Sequence, residues 1–261
     1  MRTMMMGMLA WVAIGSAQAA IVTKETSYEA DGQRYLAYIA YDDAIKDKRP
    51  GVLVVHEWWG HTPYVRKRAE MLAGMGYVGM ALDMYGDGKT ASHPKDAGGF
   101  AQAAMADFPK AKRRFEAARA LLARQPQTDG RHIAAIGYCF GGSVVLNMAR
   151  AGADLDAVAS FHGALATAQP AERGGVKAKV FVANGAADPM IKQDDVLNLH
   201  EEMRAAGVEF TYIEYPGVKH SFTNPDADRF GKEFNMPLAY DAHADAHSWA
   251  MMKTFLEQAL K

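Results

Sequence analysis

A single cysteine, Cys139, stands at a position where side chains do chemistry. It occupies the centre of Gly137-Tyr-Cys-Phe-Gly141, between an apolar run and a segment with helical apolar spacing. The pattern G-x-nucleophile-x-G between a strand and a helix is typical of a nucleophile elbow, a sharp turn that raises the nucleophile above a sheet. Glycine is needed on both sides because a Cβ atom would clash within so tight a turn. The segment therefore predicts a catalytic thiol; a buried small side chain in a glycine-rich turn is the alternative.

A thiol nucleophile needs a base and an acid that orients the base. In α/β enzymes with such an elbow, the acid and then the histidine follow the nucleophile, each on a loop after a successive strand. Asp188 follows the apolar run Val180–Ala183, and His220 follows the alternating segment Glu209–Tyr215. We therefore predict His220 as the base and Asp188 as its orienting acid. His162 also ends a predicted strand and is the main rival for the base, but its place fits a pocket wall better.

The loop after the buried run Gly51–Val55 reads His56-Glu-Trp-Trp-Gly60 and adds further groups to the predicted site. The backbone N–H groups of Phe140 and Trp58 are the expected oxyanion donors. A carboxylate at Glu57 would oppose thiolate formation nearby or accept a hydrogen bond from the S–H group; an exposed surface side chain is the alternative. Besides these, the residues expected to line an aromatic substrate pocket are Trp59, Tyr85, His162 and Phe222.

The elements that must position these groups alternate between strands and helices, which predicts one doubly wound α/β domain with a mostly parallel sheet. Ile21–Tyr28 and Gln33–Tyr41 flank Asp31-Gly32 and predict an antiparallel hairpin at the sheet edge. Further strands are expected at Gly51–Val55, Tyr77–Leu82, before the elbow, and at Ala157–Phe161, Val180–Ala183 and Glu209–Tyr215. Helices are expected near 62–75, 101–124 with an interruption at Pro109, 193–206 and 245–260, and a loop is expected from Phe222 to about Asp241.

The first nineteen residues have the three parts of a secretory signal peptide. Arg2 precedes the apolar run Met4–Ile14, and Ala17-Gln-Ala19 supplies a cleavage site. We expect cleavage after Ala19, export to the periplasm or the medium, and a mature domain of residues 20–261; a buried N-terminal helix is the alternative. The formal net charge of −1 gives no electrostatic reason to expect nucleic acid or an anionic membrane as a partner.

No cofactor or metal is expected. His243 and His247 are four residues apart, as metal ligands on a helix can be, but the sequence nearby lacks a glutamate or the pattern of a third ligand. The expected partner is a small molecule, and the sequence does not decide the oligomeric state.

Taken together, the His56-Glu57 step, the elbow with its paired glycines Gly141 and Gly142, Asp188 and His220-Ser-Phe222 resemble the dienelactone hydrolase (carboxymethylenebutenolidase) family. The resemblance extends over essentially the whole mature chain. It implies an α/β-hydrolase fold and cofactor-free, ring-opening hydrolysis of a carboxylate-bearing enol-lactone through an acyl-thioester. The partner that the resemblance implies is therefore a small-molecule ester or lactone substrate. It also implies the triad predicted above, with Glu57 as the carboxylate that holds the resting thiol until substrate displaces it.

The chain departs from that family in the residues expected to bind a substrate carboxylate. Lactone enzymes of the family use arginines, one of them shortly after the catalytic histidine, whereas here the loop after His220 has no arginine before Arg229. An exported carboxylesterase of broader range is therefore a second hypothesis, and a non-catalytic small-molecule binding protein is a third. An intramolecular disulfide cycle is excluded because the chain has one cysteine.

Overall fold

The apolar runs of the sequence form one eight-stranded sheet in the computed structural model, which describes residues 20–261. The predicted signal peptide lies outside the described residues. The strand order is β1-β2-β4-β3-β5-β6-β7-β8. In chain order the strands are β1 (Ile21–Ala30), β2 (Gln33–Asp42), β3 (Arg49–Val55), β4 (Val78–Leu82), β5 (Thr128–Tyr138), β6 (Ala157–Phe161), β7 (Lys179–Gly185) and β8 (Phe210–Tyr215).

The predicted N-terminal hairpin is confirmed. Strands β1 and β2 pair antiparallel, with Ala30 opposite Gln33 across a two-residue turn. Asp31 and Gly32 have φ values of 50° and 74°, the left-handed conformation that a tight hairpin turn requires. β2 also pairs antiparallel with β4, and every later pairing in the sheet is parallel. The sheet is therefore mostly parallel with an antiparallel edge, as predicted.

The seven helices of the described chain differ from the prediction in two places. The expected helix over 101–124 is two helices, and Pro109 lies in the first turn of the second, where its missing N–H is not needed. The segment expected as a loop contains a further helix of eight residues, too short for a clear periodic pattern. The helices are α1 (Pro63–Gly74), α2 (Pro94–Met105), α3 (Phe108–Ala123), α4 (Phe140–Arg150), α5 (Gln193–Ala206), α6 (Ala227–Phe234) and α7 (Ala242–Ala259).

Two hydrophobic cores lie on opposite faces of the sheet because side chains alternate along each strand. On β3, Leu53 and Val55 join the core beneath α3, α4 and α5, whereas Val52 and Val54 join the core beneath α1 and α7. All four side chains are fully buried. Full burial of each such aliphatic side chain stabilises the fold by roughly 1.5–3 kcal/mol. Among the described helices, none has both the length and the apolar character that crossing a membrane would require.

The parallel strands fix where the functional loops emerge. Strands β3, β5, β6, β7 and β8 run in the same direction, so their carboxyl ends meet at one edge of the sheet. The residues that follow these ends are, in sheet order, His56-Glu57, Cys139, His162, Asp188 and His220.

Candidate active site

Cys139 lies on the sharp turn between β5 and α4 with φ of 52° and ψ of −115°. This conformation is strained for a residue with a side chain, and the elements on both sides must hold it. A Cβ atom added at Gly137 would lie 2.1 Å from the Gly141 carbonyl oxygen. One added at Gly141 would lie 2.3 Å from the Val55 carbonyl oxygen. Both obstacles are backbone atoms, so the turn requires glycine at these two positions.

The predicted acid and base meet. His220 Nδ1 lies 2.6 Å from Asp188 Oδ2, and both side chains are buried. The other carboxylate oxygen, Asp188 Oδ1, accepts a hydrogen bond of 2.8 Å from the Met190 N–H. Because a carboxylate accepts, the proton of a neutral His220 ring lies on Nδ1. His220 Nε2 is buried and has no hydrogen-bond partner among the described residues.

Charge near His220 favours its protonated form. Burial by itself would lower the pKa of His220, but the negative charge of a Cys139 thiolate and the hydrogen bond to Asp188 outweigh burial and raise the pKa to about 10. The protonated ring of His220 is therefore favoured at neutral pH. An imidazolium beside a cysteine is the setting in which a cysteine nucleophile is activated.

Glu57 is 3% exposed, so it is not a surface side chain. Its Oε1 accepts a hydrogen bond of 3.0 Å from Ser221 Oγ, and its Oε2 accepts one from Asn224 Nδ2. Burial raises the pKa of Glu57, and the two hydrogen bonds oppose that shift. The sequence prediction did not include Ser221 and Asn224, although both follow His220 closely in the chain. The structure thus connects the Glu57 loop to the loop of the predicted base.

The two expected oxyanion donors lie on neighbouring loops. Phe140 is the first residue of α4, and Trp58 lies in the turn after β3. Neither backbone N–H is bonded to another group in the described part of the chain. An N–H in the first turn of a helix has no intrahelical acceptor and is suited to bind an anion.

His162 is fully buried beside the predicted base, with its ring centroid 5.2 Å from that of His220. Its Nδ1 accepts a hydrogen bond of 3.1 Å from the Cys139 N–H, and its Nε2 lies 2.7 Å from Thr223 Oγ1. Burial lowers the pKa of His162 well below its ordinary value, and the positive charges of His220 and Arg68 add to that effect. The neutral ring thus bonds the backbone of Cys139, and its place in a pocket wall stays a prediction.

The remaining predicted pocket residues are packed into aromatic clusters. Phe222 is fully buried, and its ring packs against those of Tyr215 and His162. Trp59 stacks on Phe230 of α6 with ring centroids 4.4 Å apart. Phe234, the second aromatic residue of α6, lies 6.0 Å from the Trp59 ring. Both rings come from the same side of α6, because residues four apart in a helix lie on one face.

Tyr85 contacts both residues that carry the expected oxyanion donors. Its hydroxyl group donates a hydrogen bond of 3.0 Å to the Trp58 carbonyl oxygen, and its ring packs 5.5 Å from that of Phe140. Burial raises the pKa of Tyr85, and the charge of Cys139 raises it further. The phenol therefore stays protonated and remains a hydrogen-bond donor.

Comparison with known proteins gives a consistent result. The model of the dienelactone hydrolase family matches residues 36–260. A crystal structure of a dienelactone hydrolase-like promiscuous phosphotriesterase from metagenomic libraries is 32% identical, covers 93% of this chain and 100% of that chain, and has a TM-score of 0.86. The structure of m3DLH is 31% identical with the same coverage and TM-score. Protein usf of Aquifex pyrophilus is 27% identical over 242 residues, which are 89% of this chain and 97% of that protein.

Proposed function

The chain belongs to the dienelactone hydrolase family of α/β-hydrolases that act on esters and lactones, and from that premise we propose that it cleaves small activated esters or enol-lactones with Cys139 as nucleophile. His220 is the general base and acid, Asp188 orients it, and the intermediate is an acyl-thioester on Cys139. The observation that supports this most is the buried His220 ring, bonded to Asp188 through Nδ1 at 2.6 Å and unpartnered at Nε2.

The proposed reaction has two halves. The Cys139 thiolate adds to the substrate carbonyl carbon, and the N–H groups of Phe140 and Trp58 receive the oxyanion. The intermediate collapses, the C–O bond to the leaving group breaks, and His220 gives its Nε2 proton to the departing oxygen. His220 then takes a proton from water as the water adds to the thioester. The second collapse releases the carboxylic acid and restores the thiolate with the imidazolium.

The thiolate restricts the range of substrates. A thiolate is a good leaving group, so the first tetrahedral intermediate returns to substrate unless the other leaving group departs as easily. Enolates and phenolates meet that condition, whereas alkoxides and amines do not. We therefore expect enol-lactones and aryl esters to be turned over well, and simple alkyl esters and amides poorly.

Glu57 is proposed to modulate the thiol. Its carboxylate would hold the resting S–H group and leave when a substrate enters, with Ser221 and Asn224 as the partners that hold it afterwards. Glu57→Gln keeps the shape and removes the charge, so it separates electrostatic modulation from packing.

Export of the mature domain after cleavage at Ala19 remains part of the proposal. The alternative functions are an exported carboxylesterase of broad range and a non-catalytic binding protein of the same fold. Because the metagenomic relative is a promiscuous phosphotriesterase, an aryl phosphotriester is a further candidate substrate for the same thiolate.

The experiment compares the wild-type protein with Cys139→Ala on enol-lactones, aryl esters, alkyl esters and an aryl phosphotriester. Turnover and the mass of the intact protein are followed together. We expect turnover of the activated esters and an acyl adduct on Cys139, with both lost in Cys139→Ala. Tight ligand binding without turnover or adduct would instead support the binding protein, and fast turnover of alkyl esters would support the broad-range carboxylesterase.

A further inference from the structure

The peptide unit between Glu57 and Trp58 is held by its carbonyl group. The Glu57 carbonyl oxygen lies 2.6 Å from His56 Nδ1 and accepts a second hydrogen bond, of 3.1 Å, from the Gly60 N–H. A trans peptide is planar, and its C=O and N–H groups point in opposite directions. Whatever fixes the Glu57 carbonyl therefore also fixes the direction of the Trp58 N–H, the expected oxyanion donor.

The proton of His56 is assigned by its two partners. The Met84 N–H, which can only donate, lies 3.1 Å from His56 Nε2, so Nε2 accepts. The proton then lies on Nδ1 and is donated to the Glu57 carbonyl. The ring is fully buried, and burial lowers the pKa of His56 to about 4, so one donor and one acceptor are kept at neutral pH.

The His56 ring also packs against the rings of Phe140 and Tyr85. It is nearly parallel to the Phe140 ring at a centroid distance of 5.7 Å. It meets the Tyr85 ring edge-on at 4.6 Å. Tyr85 in turn bonds the carbonyl of Trp58 itself, so Trp58 is held through the peptide units on both sides.

We propose that His56 and Tyr85 are positioning residues of the oxyanion hole, which together aim the Trp58 N–H at the developing oxyanion. This rests on the proposed function, in which that N–H receives the oxyanion. Neither side chain needs to touch the reacting atoms. Loss of one oxyanion donor lowers kcat by about 10²–10³-fold in other enzymes, and a donor that is present but misaimed loses part of that effect. We therefore expect a fall in kcat of roughly 10- to 100-fold when the His56 bonds are removed.

The test uses His56→Leu, which removes both hydrogen bonds, and His56→Gln, whose amide keeps one donor and one acceptor. His61→Leu is the matched control, because His61 is another buried histidine near the same loop and bonds the Ala81 carbonyl at 3.0 Å. With p-nitrophenyl acetate, His56→Leu should lower kcat while KM stays within about threefold, because the oxyanion exists only in the transition state. His56→Gln should recover part of kcat, and His61→Leu should keep it.

A second readout is inhibition by trifluoroacetone. The Cys139 sulfur adds to its carbonyl carbon, and the electron pair of the C=O bond moves to oxygen, which enters the hole. The inhibition constant should rise in His56→Leu by a factor similar to the fall in kcat. Tyr85→Phe removes one oxygen atom and should lower kcat in the same way, which keeps the test decisive if His56→Leu does not fold.

The proposal is overturned if folded His56→Leu or Tyr85→Phe keeps the wild-type kcat, or if His61→Leu loses as much kcat as His56→Leu. It is also overturned if the inhibition constant does not change. Failure of the proposed function has a different signature: the wild-type protein then shows no turnover that depends on Cys139, whatever residue stands at position 56.

Discussion

The most informative single substitution is Asp188→Asn, because the structure determines how the new amide would face His220. Asp188 Oδ1 accepts a hydrogen bond of 2.8 Å from the Met190 N–H. The amide oxygen of an asparagine can accept this hydrogen bond in its place, but an NH₂ group cannot. The NH₂ group of the asparagine must then occupy the Oδ2 position, 2.6 Å from His220 Nδ1. There it donates to Nδ1 and moves the ring proton to Nε2. The base is thus held in the tautomer that cannot accept a proton from the thiol or from water.

The expected loss follows from that tautomer. The same substitution in a serine protease triad leaves the geometry intact and lowers kcat by about 10⁴-fold. Here we expect a fall of roughly 10³- to 10⁴-fold in kcat, about 4–5.5 kcal/mol of lost transition-state stabilisation. Asp188→Ala removes the carboxylate without supplying a donor, so the ring can still adopt either tautomer. We therefore expect Asp188→Ala to be more active than Asp188→Asn.

The assay is steady-state hydrolysis of p-nitrophenyl acetate, with the His220 tautomer read from nitrogen chemical shifts. The control is Asp194→Asn, the same change on an exposed residue in the first turn of α5. Activity of Asp188→Asn within tenfold of wild type, or nitrogen shifts that still place the proton on Nδ1, would refute the reasoning. Equal activity of the asparagine and alanine variants would show that charge matters and the tautomer does not.

Three further outcomes are expected. Gly137→Ala should abolish activity and lower the free energy of unfolding, measured with urea, by about 3 kcal/mol or more, because the new Cβ meets backbone atoms. The control Gly99→Ala in α2, where the new Cβ meets open space, should change neither activity nor the free energy of unfolding. Tyr138→Phe removes a buried hydroxyl group that has no partner in the described chain, so the free energy of unfolding should rise by up to about 1 kcal/mol, and a fall would contradict this. The ring of His220 should stay protonated until the pH approaches its raised pKa of about 10. In Cys139→Ala the midpoint of the His220 titration, followed by NMR, should move to lower pH because the thiolate charge is gone. An unchanged midpoint would show that Cys139 does not act on the ring.

The parts of the structure that the sequence predicted well depend on local patterns. Apolar runs define the parallel strands, the Asp31-Gly32 turn defines the hairpin, and the glycines at 137 and 141 define the elbow. Once these elements form a parallel sheet, the loops after successive strands must emerge at one edge. The contact between Asp188 and His220 was predicted from the order of the two residues along the chain, each on the loop after a successive strand.

The contacts that the sequence did not predict join residues far apart in the chain. Glu57 and Asn224 are separated by 167 residues and meet only because the loops after β3 and β8 fold over the same edge. The direction of the His162 side chain depends on a backbone φ of 39°, which is uncommon for residues other than glycine. Residue type at a strand end can predict that a group is near the site but not which way it faces.

Backbone strain explains why those directions are specific to this fold. Cys139, His162 and Ser221 all have φ between 39° and 58°, and all three follow parallel strands at the functional edge. Left-handed backbone is unfavourable for such residues, so each conformation persists only where the surrounding contacts outweigh it. The bonds that hold His162 and Ser221 in place, to the Cys139 backbone and to Glu57, are the same bonds that shape the site. The strained backbone at His162 and Ser221 is therefore kept by the same hydrogen bonds that arrange the candidate site. A substitution at either residue that relaxes the backbone but loses its hydrogen bond would also lose the arrangement of the site.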